Sequence, residues 1–188
     1  MPHTLTVRPA TPQRWRDLEK LFGERGACAG CWCMYWRVRR SVYVKQKGAG
    51  NKRALKKIVA SGKVPGLLAY AGREPVGWIS LGPRESFPVL GNSRVLAPVD
   101  DRPVWSVVCF FIARPYRRSG VSVQLLKAAA DFARKRGARL VEGYPVDPRA
   151  GKMPDAFAWT GLPGTFTKAG FQEVERRSPT RPIMRKQV

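Results

Sequence analysis

The chain has 188 residues, and 35 Lys plus Arg against 13 Asp plus Glu leave it a formal charge of +22. With 44% hydrophobic and 10% aromatic residues it has the apolar mass for one filled core, which excludes a disordered chain and makes a single domain over residues 1–188 the expectation. Its longest apolar run, Val104 to Ala113, is too short to span a membrane, and no apolar leader opens the sequence, so a cytoplasmic protein with reduced thiols is expected.

Residues 4 to 9 alternate in the manner of a strand. Thr11-Pro12 then offers an N-cap and a proline at the first helical position, Trp15, Leu18, Leu21 and Phe22 recur at helical spacing, and Gly23 and Gly26 end the helix. Between Glu24 and Glu74 there is no acid, while twelve Lys and Arg lie from Arg25 to Arg73 among the aromatics Trp32, Tyr35, Trp36 and Tyr43. Such interleaving can stack on and neutralise nucleotides. A solvated basic face over a buried aromatic anchor produces the same pattern. A second helix is signalled at Asn51, with Leu55, Ile58 and Val59 as its stripe and Gly62 at its close; Lys52 and Arg53 make its first turn positive.

Gly66 to Ala71 and Val76 to Leu81 flank a Gly72-Arg73-Glu74-Pro75 turn and predict a hairpin, followed by a long loop marked by Pro83, Pro88, Gly91, Asn92 and Pro98. Val104 to Ile112, rich in β-branched and aromatic residues, predicts a central strand buried on both faces. Val121, Leu125, Ala129 and Phe132 share one face of a helix that Gly137 ends, and Arg139 to Val146 is another strand. Strand, helix and strand in succession imply a parallel pair with a right-handed crossover. Phe166 to Ala169 is a short helical piece, and Phe171 to Arg177 and Arg181 to Lys186 are closing strands around Ser178-Pro179-Thr180.

The junction of the central strand with its helix carries the chemistry. Consecutive N–H groups in the loop Arg117-Arg118-Ser119-Gly120-Val121-Ser122 can point outward, and the helix start adds positive dipole, so main chain alone can bind a phosphate or pyrophosphate. Gly120 allows close approach, and Arg117 and Arg118 add charge at the rim. An ordinary strand-to-helix turn is the alternative.

This segment and the order of elements resemble the GNAT N-acetyltransferase family, whose pyrophosphate motif runs Arg or Gln, two residues, Gly, one residue, Gly or Ala; Ser122 departs from it at the last position. Phe166-Thr167-Lys168-Ala169-Gly170-Phe171 is similar to the family's Tyr-x-x-x-Gly-Phe ending. The resemblance covers nearly the whole chain, although residues 28–50 and 83–103 carry no family motif. It implies an α/β (α+β) three-layer fold: a central mixed, mostly antiparallel sheet with a parallel strand pair around the cofactor loop, and helices on both faces. It also implies acetyl-CoA as co-substrate, with pantetheine along the edge of Phe110, Phe111 and Ile112 and the phosphates on Arg117, Arg118, Ser119, Gly120, Val121 and Ser122. The implied reaction is direct attack of an amine on the thioester, with an N–H of that edge available to the oxyanion.

The family's acidic tyrosine is replaced by Phe166. Glu142 and Tyr144, two residues apart on one side of a strand, are the candidate base and acid; an arginine ion pair and core packing are the alternatives. Glu85 and Asp147 are further carboxylates of weaker claim. Cys28, Cys31 and Cys33 form a C-x-x-C-x-C cluster, but a closed zinc site wants four ligands and only Cys109 and the distant His3 remain, so no metal is expected. Cys109, with no histidine beside it in sequence, is expected to pack in the core. From another class, a small RNA- or ribosome-binding protein would use the segment from Trp32 to Lys63, and a GNAT-like protein could bind CoA without efficient catalysis. The excess charge favours an anionic or macromolecule-bound acceptor, or another anionic partner, over a polycationic amine.

Overall fold

The computed structural model describes residues 5–148, 153–154 and 157–188. The elements follow in the order β1 (Leu5–Pro9), α1 (Trp15–Phe22), α2 (Arg40–Lys45), α3 (Ala49–Ala60), β2 (Gly66–Ala71), β3 (Glu74–Pro83), α4 (Pro88–Gly91), β4 (Trp105–Ile112), α5 (Val121–Arg134), β5 (Leu140–Gly143), α6 (Pro163–Lys168), β6 (Gln172–Arg176) and β7 (Pro182–Gln187). The strands form one seven-stranded sheet in the order β1-β2-β3-β4-β5-β7-β6, antiparallel throughout except for the pair β4-β5.

Each face of the sheet buries its own core, which gives three layers. Trp15, Leu18 and Phe22 of α1, Tyr43 of α2 and Leu55 of α3 pack with Leu68 and Trp78 on one face. Leu125, Leu126 and Ala129 of α5 and Phe166 of α6 pack with Ile79, Leu81, Val107 and Val141 on the other. Strand alternation divides the residues: Leu67 and Ala69 point to the α5 side, Leu68 and Tyr70 to the α1 side.

Four elements differ from the sequence expectation. Helix α3 starts at Ala49 rather than Asn51, because Asn51 is fully buried inside the first turn and donates through Nδ2 to the carbonyls of Gly30 and Tyr43. Helices α2 and α4 occur where no helix was expected. The first is anchored by buried Tyr43 and the second by Leu90, which is completely buried within the predicted loop. Strand β5 stops at Gly143 instead of Val146: its parallel pairing with β4 ends at Val107↔Gly143, and the Val146 N–H turns to the Gly161 carbonyl at 3.0 Å.

The divergence has a local cause. Ser80 pairs with Cys109 and Leu81 with Val107, so Val108 is the extra residue of a β-bulge in β4. A bulge bends its strand and increases the twist. Directly at this point β4 and β5 part, leaving Phe110 and Ile112 on an edge that β5 does not cover.

Candidate active site

Where β4 ends, a single turn of 3-10 helix at Arg114–Tyr116 leads through Arg118 (φ 60°) and Gly120 (φ 85°) into α5. The left-handed conformation at Gly120 suits glycine, and a side chain built there would meet only open space. Among the described residues no side chain caps α5 and no acid lies in its first turn, which leaves the N–H groups that open this 14-residue helix to a ligand or to water. Ser119 Oγ donates to the Tyr116 carbonyl at 2.6 Å, and Arg117 Nε donates to the Ile112 carbonyl at 3.1 Å. Arg117, Arg118, Ser119 and Gly120 are exposed, Ser122 is half-buried, and Val121 is buried against the sheet.

The edge of β4 is not bare. The Phe110 N–H donates to the Trp159 carbonyl at 2.7 Å, so the stretch Phe157–Gly161 lies across the gap between β4 and β5. Gly161 (φ 89°) permits that contact, since a Cβ there would press on the rings of Phe110 and Phe166. The two side chains at the end of β4 separate: Phe110 meets Phe166 on the α5 side, whereas Phe111 meets Phe22 of α1. Ile112 is half-buried at the strand's end.

At the foot of the gap, Glu142 and Tyr144 come together as expected from their spacing. The Tyr144 hydroxyl donates to Glu142 Oε2 at 3.0 Å, and its oxygen accepts from Arg84 at 2.7 Å and lies 2.8 Å from Ser106 Oγ. Glu142 Oε1 accepts from Nε of Arg185 at 2.8 Å and from its Nη2 at 2.5 Å, while a further Arg185 nitrogen reaches Asp100 at 2.7 Å. Both Glu142 and Tyr144 are 1% exposed. Burial, followed by the neighbouring Glu142 charge, raises the Tyr144 phenol above its ordinary value, so it stays protonated through the neutral range. Sequence analysis overlooked Arg84 and Arg185; only the strand pairing β5-β7 and the turn after β3 bring them to Glu142.

On the α1 side of the gap, Tyr35 packs edge-on against Trp36 (5.0 Å), Trp159 (5.2 Å) and Tyr43 (5.5 Å), with the Arg40 guanidinium 5.4 Å from its ring. Most of the aromatic part of the acid-free segment is therefore core, with Trp32, Trp36 and Tyr43 buried. Arg37 from the same segment turns inward, donating to the carbonyls of Pro65 and Leu81 and to Ser80 Oγ, and burial lowers it to about 10.

The remaining candidates lie apart. Glu85 is exposed, and Asp147 is bound by Arg176 at 2.8 Å. Cys33 and Cys109 face each other with sulfurs 2.8 Å apart beneath Trp78, Cys31 is half-buried, and Cys28 is exposed. His3 lies outside the described residues.

The sequence model of the Acetyltransferase (GNAT) family matches residues 25–149. The chain belongs to this family. Its GNAT fold is also that of solved structures. The PaiA N-acetyltransferase of Thermoplasma acidophilum in complex with coenzyme A matches with a TM-score of 0.56 at 14% identity, over 98% of this chain and 99% of that one. A GNAT-family acetyltransferase of Streptococcus agalactiae gives 0.58 at 11%, over 100% and 98%. Arabidopsis thaliana NAA60 in complex with acetyl-CoA gives 0.53 at 12%, over 98% and 100%. At these identities the likeness is one of fold. No curated protein matches the chain in sequence. Among the described residues of this GNAT chain, no helix is long and apolar enough to cross a membrane.

Proposed function

We propose that this chain is an N-acetyltransferase, a single domain that takes acetyl-CoA as co-substrate and passes its acetyl group to an amine. The observation that carries this reading is the junction of β4 and α5, where uncapped N–H groups, a left-handed Gly120 with open space around it and a first turn free of acid make a pyrophosphate cradle.

The β4 edge supports the same reading. Its Phe110 N–H and Ile112 carbonyl are occupied by the Trp159 carbonyl and the Arg117 guanidinium, chemical stand-ins for the carbonyl and N–H of an extended amide chain. An extended ligand on this edge exchanges those two bonds for its own. Acetyl-CoA supplies an activated acetyl thioester. The amine nitrogen bonds to the acyl carbon, the carbon–sulfur bond breaks, and sulfur gains a proton as nitrogen loses one.

Within this reading Phe110 N–H stabilises negative charge growing on the acyl oxygen. Phe111 turns its ring to the opposite core and its backbone to β3, so it supports the edge without touching the ligand. Tyr144 retains its proton at neutral pH and is the candidate donor to sulfur; that proton rests on Glu142 Oε2, so donation requires the hydroxyl to turn from Glu142 to the sulfur while Arg84 and Ser106 support its oxygen. Glu142 has its two oxygens filled by Arg185, Arg84 and Tyr144, leaving no free face for an amine proton, and we assign it the positioning of the Tyr144 hydroxyl. Arginines around Tyr35 favour the neutral, nucleophilic form of a nearby amine by like-charge repulsion.

The test is a thermal-shift titration with acetyl-CoA followed by free-thiol release against an amine panel. Stabilisation by acetyl-CoA together with amine-dependent thiol release is expected, and no stabilisation at millimolar acetyl-CoA overturns the proposal.

A further inference from the structure

We infer that the turn between α2 and α3 and the outer side of α3 form a nucleic-acid interface, on which Lys45, Lys47, Arg53 and Lys57 bind the phosphate backbone of a duplex without reading its sequence. Lys45 at the end of α2, Lys47 in the turn and Arg53 on α3 line one open cavity of about 560 Å³, with Val42 and Ala49 in its apolar wall. Lys57 lies one turn beyond Arg53 on the same side of α3, about 5–6 Å away at the Cβ atoms. All four cations are exposed. The charges of α3 divide by side. Lys52 pairs with Glu19 at 2.8 Å, and the Lys56 ammonium lies 5.8 Å from the Trp15 ring centroid, so α1 answers that row. Among the described residues no carboxylate pairs with Arg53 or Lys57, nor with Lys45 or Lys47: the sequence holds no acid between Glu24 and Glu74, and the fold brings none here from elsewhere. Such a one-sign cluster keeps a positive potential that a polyanion relieves.

What accompanies the charge selects the partner. A single strand is held by stacking its bases on exposed rings, but Trp32, Trp36 and Tyr43 are buried and Tyr35 is half-buried edge-on against the last two. Charge is what remains, and a duplex offers it densely, about one phosphate per 1.7 Å of axis, with no base to unstack. A membrane surface asks for large apolar side chains beside the cations, whereas the exposed apolar residues of α2, Val42 and Val44, are small. A protein interface places apolar area at its centre and charge at its rim; here three cations line the cavity itself.

Fluorescence anisotropy with labelled DNA duplexes of about 20 base pairs tests the assignment. Wild type is expected to bind two duplexes of unrelated sequence equally and the matching single strand more weakly. Release of four phosphate contacts should cost it about a hundredfold in affinity between about 50 and 200 mM salt. Lys45→Gln, Lys47→Gln, Arg53→Gln and Lys57→Gln together should weaken binding about tenfold or more and flatten the salt dependence. Arg53→Gln and Lys57→Gln alone, which leave the turn untouched, should weaken it about threefold. Lys127→Gln, Arg134→Gln, Lys135→Gln and Arg139→Gln together make the same change in net charge at exposed positions of α5 and just beyond it, and should weaken binding less than about twofold. Exposed substitutions of this kind should leave the melting temperature near that of wild type. Equal losses in the two fourfold variants reduce the effect to net charge and overturn the inference. So do absence of binding at about 50 mM salt, tighter binding of the single strand, and equal binding of polyglutamate or of phosphatidylserine vesicles.

Discussion

The Phe110 amide donates to the Trp159 carbonyl across the opening that the Val108 bulge creates between β4 and β5. The strand edge that would hold a thioester is thus closed by the chain itself, and binding requires an exchange of partners. Acetyl-CoA at saturation is expected to speed hydrogen exchange in the stretch from Phe157 to Leu162 several-fold while the Phe110 amide stays protected. Unchanged exchange in that stretch, measured by mass spectrometry, excludes this edge as the cofactor site.

Gly120 is left-handed at the start of α5. Gly120→Val places a β-branched residue in that conformation at a cost of about 1–2 kcal/mol, which lowers the melting temperature by roughly 2–8 °C. It also fills the space over the helix N–H groups, so acetyl-CoA affinity should fall by more than the fold loses. Calorimetry showing wild-type affinity moves the phosphate site elsewhere.

Glu142 ties β5 to β7 through Arg185 and to the turn after β3 through Arg84. Glu142→Gln leaves two guanidinium groups short of a buried anion, and a loss of about 3–5 kcal/mol in denaturant unfolding is expected. Tyr144→Phe keeps those ion pairs and should fold with a loss of about 1–2 kcal/mol while lowering kcat for acetyl transfer. Equal kcat for Tyr144→Phe and wild type returns Tyr144 to a packing role.

Asp100 is held well below its ordinary value of 3.8 by hydrogen bonds from Arg185 and then Arg102. A folded-state value below the unfolded one means that this stability is fully present above about pH 4 and is lost as the pH falls below it. Asp100→Asn should therefore lie below wild type in stability at pH 7 and converge toward it as the medium is acidified to pH 3. Parallel melting curves across that range separate Asp100 from the acid limb.

Much of the molecule was legible before folding, for reasons that are local. The β-branched and aromatic run of Val104 to Ile112 determined a buried central strand, the glycine after Arg117-Arg118-Ser119 determined a left-handed helix entry, and the stripe Val121, Leu125, Ala129 determined which face of α5 is buried. The spacing of Glu142 and Tyr144 likewise put them on one side, where they meet. Tertiary structure decided what depends on partners distant in sequence. Arg185 fills Glu142 because β5 lies beside β7, which turned an expected base into the anchor of an ion-pair network. The one-sign charge of the chain, undirected in the sequence, resolves into arginines such as Arg37 that clamp carbonyls and others such as Arg185 that fill buried carboxylates. Periodicity and turn chemistry report the neighbours of a residue along the chain; the compensation of a charge is set by whatever the fold brings against it.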